Sequence, residues 1–152
     1  MINNKYQRFM VLLLRLAMGW VMFYAGTTKV LDPGWSAAGY LKSAKTFAGF
    51  YQWLAQPDII PFINFINEWG LTLLGVSLIL GIFVRLSSLL GVLLMLLYYI
   101  PVLSFPYVGH GYIVDEHVIY ALVLLFFAAS RAGRIWGLDA LIGNALGRGK
   151  FG

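Results

Sequence analysis

The sequence predicts an all-α integral membrane protein: a four-helix bundle with an amphipathic helix at one membrane face and a short C-terminal helix at the other. Three observations carry this. Hydrophobic residues make up 61% of the 152-residue chain and charged residues only 11%, against roughly 25% charged in soluble domains. Four apolar runs are long enough to cross a bilayer core of ~30 Å, which takes about 20 helical residues. The lysines and arginines stand in ones and twos near the ends of these runs, as topology signals do.

Residues 1–152 read as a single domain. The first span covers about 9–31 and stops at Asp32-Pro33-Gly34. Its apolar core is too long for a signal peptide, Arg15 interrupts it, and no A-x-A site follows, so it reads as a retained span. Next, Ser36 can cap a helix whose apolar stripe is Tyr40, Ala44, Phe47, Tyr51 and Leu54, with Lys42, Lys45, Thr46 and Gln52 opposite. That pattern predicts one amphipathic helix over 36–54, lying in the interface as a lid. The second span covers about 60–84, and Arg85 marks a tight turn into the third, about 86–105, which Pro101 and Pro106 bend or stop. The fourth covers about 114–131. Residues 135–146 predict a short helix, and the tail GRGKFG reads as mobile.

If both ends lie on one side, that side carries Lys5, Arg8, Arg85, Arg131, Arg134, Arg148 and Lys150, against Lys42, Lys45 and Lys29 opposite. Positive charge marks the cytoplasmic side, so both termini are expected there. Reporter fusions after Gly152 and near Lys45 should then report opposite sides of the membrane; the same side for both would end this topology.

The absence of cysteine excludes disulfides, thiol catalysis and cysteine-ligated metal. Scattered basic residues do not make a nucleic-acid surface. His110 and His117 are only seven residues apart, too poorly placed to face one another across a haem, and no metal or haem is expected.

Ionisable groups inside a span are costly and usually face protein. Arg15, Gly19, Met22, Gly26 and Lys29 fall on one helical stripe, with two glycines that admit a neighbouring helix. Asn64, Glu68, Thr72 and Gly75 form a polar stripe on the second span. Matching their levels predicts that Lys29 pairs with Glu68, while Arg15 reaches the opposite end, where Asp139 is the only acid. At the mouth of the fourth span, Asp115 is expected to cap, Glu116 to favour the positive helix end, and His117 to point inward with Ala121, Leu124 and Ala128.

These residues bring a family into view. The stretch RLAMGWVMFYAGTTKVLDP resembles the Arg-Leu…Gly…Phe…Gly-x-x-Lys pattern of the DoxX/DoxD family, at Arg15, Gly19, Phe23, Gly26 and Lys29. EWGLTLLGVSLILGIFVRLSSL is similar to its acidic residue, spaced glycines and arginine turn, at Glu68, Gly75, Gly81 and Arg85. RAGRIWGLDALIG resembles its Gly-x-Gly-Arg-x-x-x-Leu-Asp signature, with Ala132 in place of the first glycine. VDEHVIYALVLL resembles the DoxD side, the small subunit of thiosulfate:quinone oxidoreductase. The resemblance implies a prokaryotic plasma-membrane protein, quinone as substrate or bound cofactor, and a second oxidoreductase subunit or a homo-oligomeric partner. On that reading His117, Lys29 and Glu68 are candidate catalytic residues, and Arg15, Lys29, Tyr98 and Glu116 are candidates for binding substrate or quinone. Phe23, Tyr24, Tyr98 and Tyr99 could flank a quinone ring, though interfacial anchoring is their commoner role. The alternatives are a non-enzymatic membrane anchor or assembly partner for a soluble redox enzyme, and a small-solute carrier.

Overall fold

A computed structural model describes residues 4–108 and 111–145. Its helices are α1 (Lys5–Val30), α2 (Ala38–Lys42), α3 (Ala48–Leu54), α4 (Ile60–Leu80), α5 (Val84–Val102), α6 (Glu116–Ser130) and α7 (Leu138–Ala145), with a 3-10 turn at Ala132–Arg134. α1 packs along α4 and α5 along α6, and the two pairs touch more thinly where α4 meets α5. The core between them is built from Met18, Met22, Leu71, Leu78, Leu124 and Phe127, among others.

Three of the helices, α1, α4 and α5, are long and apolar enough to cross a membrane. α6 is equally apolar but has 15 residues, about 22 Å at 1.5 Å per residue, so the fourth predicted span is shorter than the other three. Leu13, Leu73, Leu90, Leu93 and Leu122 all point outward. Such a surface is matched by lipid rather than water.

Local chemistry explains the helix ends. The Asn4 side chain caps α1 by accepting from the Tyr6 amide. A proline opens α4, where its missing N–H costs nothing. Gly81, at φ 70°, ends α4 in the left-handed conformation that glycine adopts most readily. Phe83 and Val84 open α5, and their amides donate to the Asp139 carboxylate at 2.8 and 3.1 Å. The first turn of α5 is thus capped by a residue of α7.

The stripe predicted on α1 is observed: Arg15, Gly19, Met22 and Gly26 are buried. A Cβ on Gly26 would meet Thr72, and one on Gly75 would fall on the Phe23 backbone, so α1 and α4 lie backbone against backbone. On α4 the expected stripe holds at Thr72 and Gly75, which are buried, and fails at Glu68, beside which Asn67 is the buried residue. Asn67, Leu71, Leu74 and Leu78 are buried, and Glu68 is only partly covered.

Other expectations are corrected. The 36–54 helix is two short helices, α2 and α3, separated by residues 43–47. Phe47 stands at φ 54° and is 72% exposed, off the stripe assigned to it. The break is fixed from outside: the Lys45 amide donates to Pro101 O at 2.8 Å, and the Thr46 hydroxyl donates to Leu103 O. The turn between α4 and α5 lies at Gly81–Phe83, and Arg85 is already inside α5. α5 ends at Val102, not near 105. A small antiparallel sheet follows, with strands β1 (Leu103–Ser104), β2 (Tyr107–Val108) and β3 (Gly111–Tyr112) in the order β1-β2-β3. The C-terminal helix begins at Leu138 rather than 135. His110 and the GRGKFG tail lie outside the described residues.

Candidate functional site

A cavity of about 440 Å³ lies at the end of the bundle covered by α2 and α3. Lys29 from the last turn of α1, Asn67 from α4, Tyr98 from α5 and His117 from the first turn of α6 enter it, together with Trp35 from the turn after α1. α2 and α3 form its roof through Tyr40, Leu41, Tyr51 and Leu54.

The roof is bonded to what it covers. Pro101 has no N–H, so the carbonyl of Leu97, four residues earlier, loses its helical donor. The Tyr51 hydroxyl donates to that carbonyl at 3.3 Å. The Tyr40 hydroxyl donates to the next one, Tyr98 O. Burial, helped by Asp115, Tyr51 and Glu116, pushes the Tyr40 hydroxyl up to about 12, so it remains a donor across the physiological range. At the other edge, Asn64 accepts from the Ala37 amide at 3.0 Å and donates to the Ser36 hydroxyl at 3.4 Å.

Inside, the Lys29 ammonium donates to Asn67 Oδ1 at 2.9 Å and approaches the Tyr98 hydroxyl at 3.5 Å. It also lies 4.8 Å from the centre of the Trp35 ring and 5.4 Å from that of Tyr98, within the range of attraction between a cation and an aromatic face. The predicted Lys29–Glu68 pair is not formed. The one ion pair within 4 Å among the described residues joins His117 to Asp115. At this level of α4 it is Asn67 that turns inward, while Glu68 is only partly covered. A neutral carbonyl and two rings therefore hold the ammonium without cancelling its charge.

His117 does point inward. Its ring meets Tyr98 edge-on at 5.7 Å, and its side chain is 22% exposed. Asp115 acts as the predicted cap, with Oδ1 accepting from the His117 and Val118 amides at 3.0 and 3.2 Å. Its other oxygen, Oδ2, lies 2.7 Å from His117 Nδ1. An ionised carboxylate only accepts, so Nδ1–H is the donor in this contact and Nε2 is the nitrogen not engaged by Asp115. Asp115 was expected to cap and little more; it also fixes the ring orientation and tautomer of His117. Asp115, Glu116 and His117 offer ligand atoms within 4.8 Å of one another, and this closeness follows from the cap and the Asp115–His117 bond.

The structure thus brings Lys29, Tyr98 and His117 together and leaves three other candidates apart. Glu68 and Glu116 do not line the cavity. Arg15 is 1% exposed and lies 14 residues from Lys29 on the same helix, about 21 Å away along the axis. There its guanidinium donates to the carbonyls of Ala132, Ile135 and Trp136 at 2.8, 3.2 and 3.4 Å. It reaches the end that holds Asp139, as expected, but binds backbone. Of the four aromatics considered, only Tyr98 lines the cavity; Tyr24 points outward, and Tyr99 donates to Ile113 O. Trp35, Asn67, Tyr40 and Tyr51 were not anticipated as site residues. Asn67 alone had a local signal, as a polar residue beside Glu68 in an apolar helix.

The DoxX family profile matches residues 10–103. That stretch contains Lys29, Trp35, Asn67 and Tyr98 and ends before Asp115 and His117. No curated protein and no solved structure gave a match to the chain.

Proposed function

The chain belongs to the DoxX family, and from that premise we propose that it is the quinone-binding membrane subunit of an oxidoreductase, with the quinone head in the roofed cavity. The observation that carries this reading is the pairing of Lys29 and His117 around one chamber with aromatic walls. At about 440 Å³ the chamber is within the roughly 300–1,000 Å³ of small-molecule sites. A quinone head is a flat ring with a carbonyl acceptor at each end. The Lys29 ammonium and the His117 ring supply polar partners, and Trp35 and Tyr98 supply faces for the ring.

The same groups suit the reduction. Quinone takes two electrons and two protons to become quinol. Lys29 stabilises negative charge as it develops on one oxygen. His117 passes a proton through Nε2 while Asp115 holds Nδ1. Thiosulfate as electron donor rests on the DoxD resemblance. Two thiosulfate ions lose one electron each and join through a new S–S bond as tetrathionate, and a second subunit would house that half of the reaction. With both termini cytoplasmic, the cavity lies at the outer face.

Titrating the purified, reconstituted protein with menadione should quench tryptophan fluorescence saturably, and Trp35→Phe should remove most of that response. Lys29→Met removes a charged hydrogen-bond donor and is expected to weaken binding about tenfold or more. Absence of saturable quenching in the wild type would reject the quinone site and return the anchor reading.

A further inference from the structure

A second cavity, a groove of about 630 Å³, runs between α4 and α5 where the two helix pairs meet only thinly. Ile66, Leu94 and Leu97 line both this groove and the roofed chamber, so the two adjoin, with only these side chains between them. The groove extends along α4 from Ile66 to Ser77, about 17 Å of helix axis, and on to Ile82 in the turn that follows. Its walls are apolar, Phe83 included, apart from Ser77 and Ser87, whose hydroxyls bond to each other at 2.6 Å and so present no free polar group. Gly70 lines it too, and a Cβ added there would meet nothing within 4 Å. Unlike Gly26 and Gly75, this mid-helix glycine serves no helix contact. It keeps the wall open one turn from Ile66.

We infer that the α4–α5 groove is the lateral port through which a quinone head enters from the bilayer, and that it holds the isoprenoid tail once the head is seated. This rests on the quinone reading of the chamber. The roof is bonded to the carbonyls of Leu97 and Tyr98, and the groove adjoins the chamber beneath it as an apolar route from lipid. Lipid is as apolar as the groove, so seating the tail there adds little affinity by itself. What the groove provides is room for a tail that stays attached to an enclosed head.

The test compares a tail-less quinone, menadione, with its long-tailed relative, menaquinone, in the reconstituted protein. The wild type should bind both with similar affinity. Gly70→Leu fills open space, and Leu90→Phe enlarges an outward-facing wall residue one turn from Leu94. Each should weaken menaquinone binding about tenfold or more through steric exclusion and slow the entry of menadione, while leaving the equilibrium affinity for menadione and the melting temperature unchanged. Menaquinone binding unchanged in both variants, with menadione still bound, would overturn the port and leave the head site standing. That result would mean lipid or a neighbouring helix fills the groove. Failure of the wild type to bind either quinone would instead reject the head site, and the port with it.

Discussion

Arg15→Leu is expected to destabilise the protein by about 3–5 kcal/mol, a large share of the roughly 5–15 kcal/mol that holds a domain folded. The guanidinium is buried and joins the middle of α1 to three carbonyls of the segment before α7. Two glycines make room for it: a Cβ on Gly81 or on Gly137 would come within 2.8 or 2.7 Å of its Nη1. The same segment carries Asp139, which caps α5 and whose own amide donates to Gly81 O at 2.8 Å. Loss of Arg15 therefore loosens α7, and with it the cap on α5. Leucine removes the cost of burying a charge, which offsets part of the loss. The buried carbonyl of Ile135 nevertheless loses this donor, that of Ala132 keeps only the Ile135 amide, and this term wins. Arg15→Lys should recover little, because one ammonium does not span three carbonyls as a planar fork does. Thermal unfolding in detergent measures both variants. An unchanged melting temperature for Arg15→Leu would mean that the segment finds other donors and that Arg15 is dispensable to the fold.

The parts of this fold that were legible are those fixed by local pattern. The long helices follow from uninterrupted apolar runs. The α1 stripe could be placed because Arg15, Gly19, Gly26 and Lys29 stand out against leucine and valine, and the inward face of α6 because Ala121 and Ala128 flank Leu124. α4 misled only at Glu68: Thr72 and Gly75 face inward as expected, but the helix is apolar nearly all round, so Asn67 and Glu68 compete for the same face, and packing against α1 decides for Asn67. The roof misled for a related reason. A stripe at helical spacing fits one long helix or two short ones, and only the bonds from Lys45 and Thr46 to Pro101 and Leu103 decide between them. Strands of two residues carry no periodicity to read. At the site, Lys29 and His117 were legible as polar residues on inward faces. Trp35 and the two roof tyrosines come from a turn and short helices whose placement is tertiary. The second role of Asp115 depends on a side-chain distance, which spacing does not supply.

His117→Ala is expected to lower quinone reduction by about 10² or more, the lower end of what a positioned proton-transfer group contributes, with menadione affinity reduced only severalfold by the loss of one hydrogen-bond partner. The ring is largely enclosed, touches Tyr98 and is not part of the helix cap, so its loss should leave α6 intact. Asp115 separates proton transfer from structure. Asp115→Asn keeps an excellent cap, since asparagine and aspartate are nearly equal at that position, so the melting temperature should barely move. The amide introduced by that substitution can donate as well as accept, and Nδ1–H is no longer held against a carboxylate, so Nε2 is no longer fixed as the free nitrogen. kcat should fall about tenfold with KM little changed. Asp115→Ala loses the cap as well, at a cost of about 1 kcal/mol, so it should show both effects. The decisive measurement is the kcat/KM split of these variants in membranes containing the complete enzyme. Wild-type kcat in both His117→Ala and Asp115→Asn would show that the pair only starts a helix, and that Lys29 alone carries the polar chemistry of the cavity.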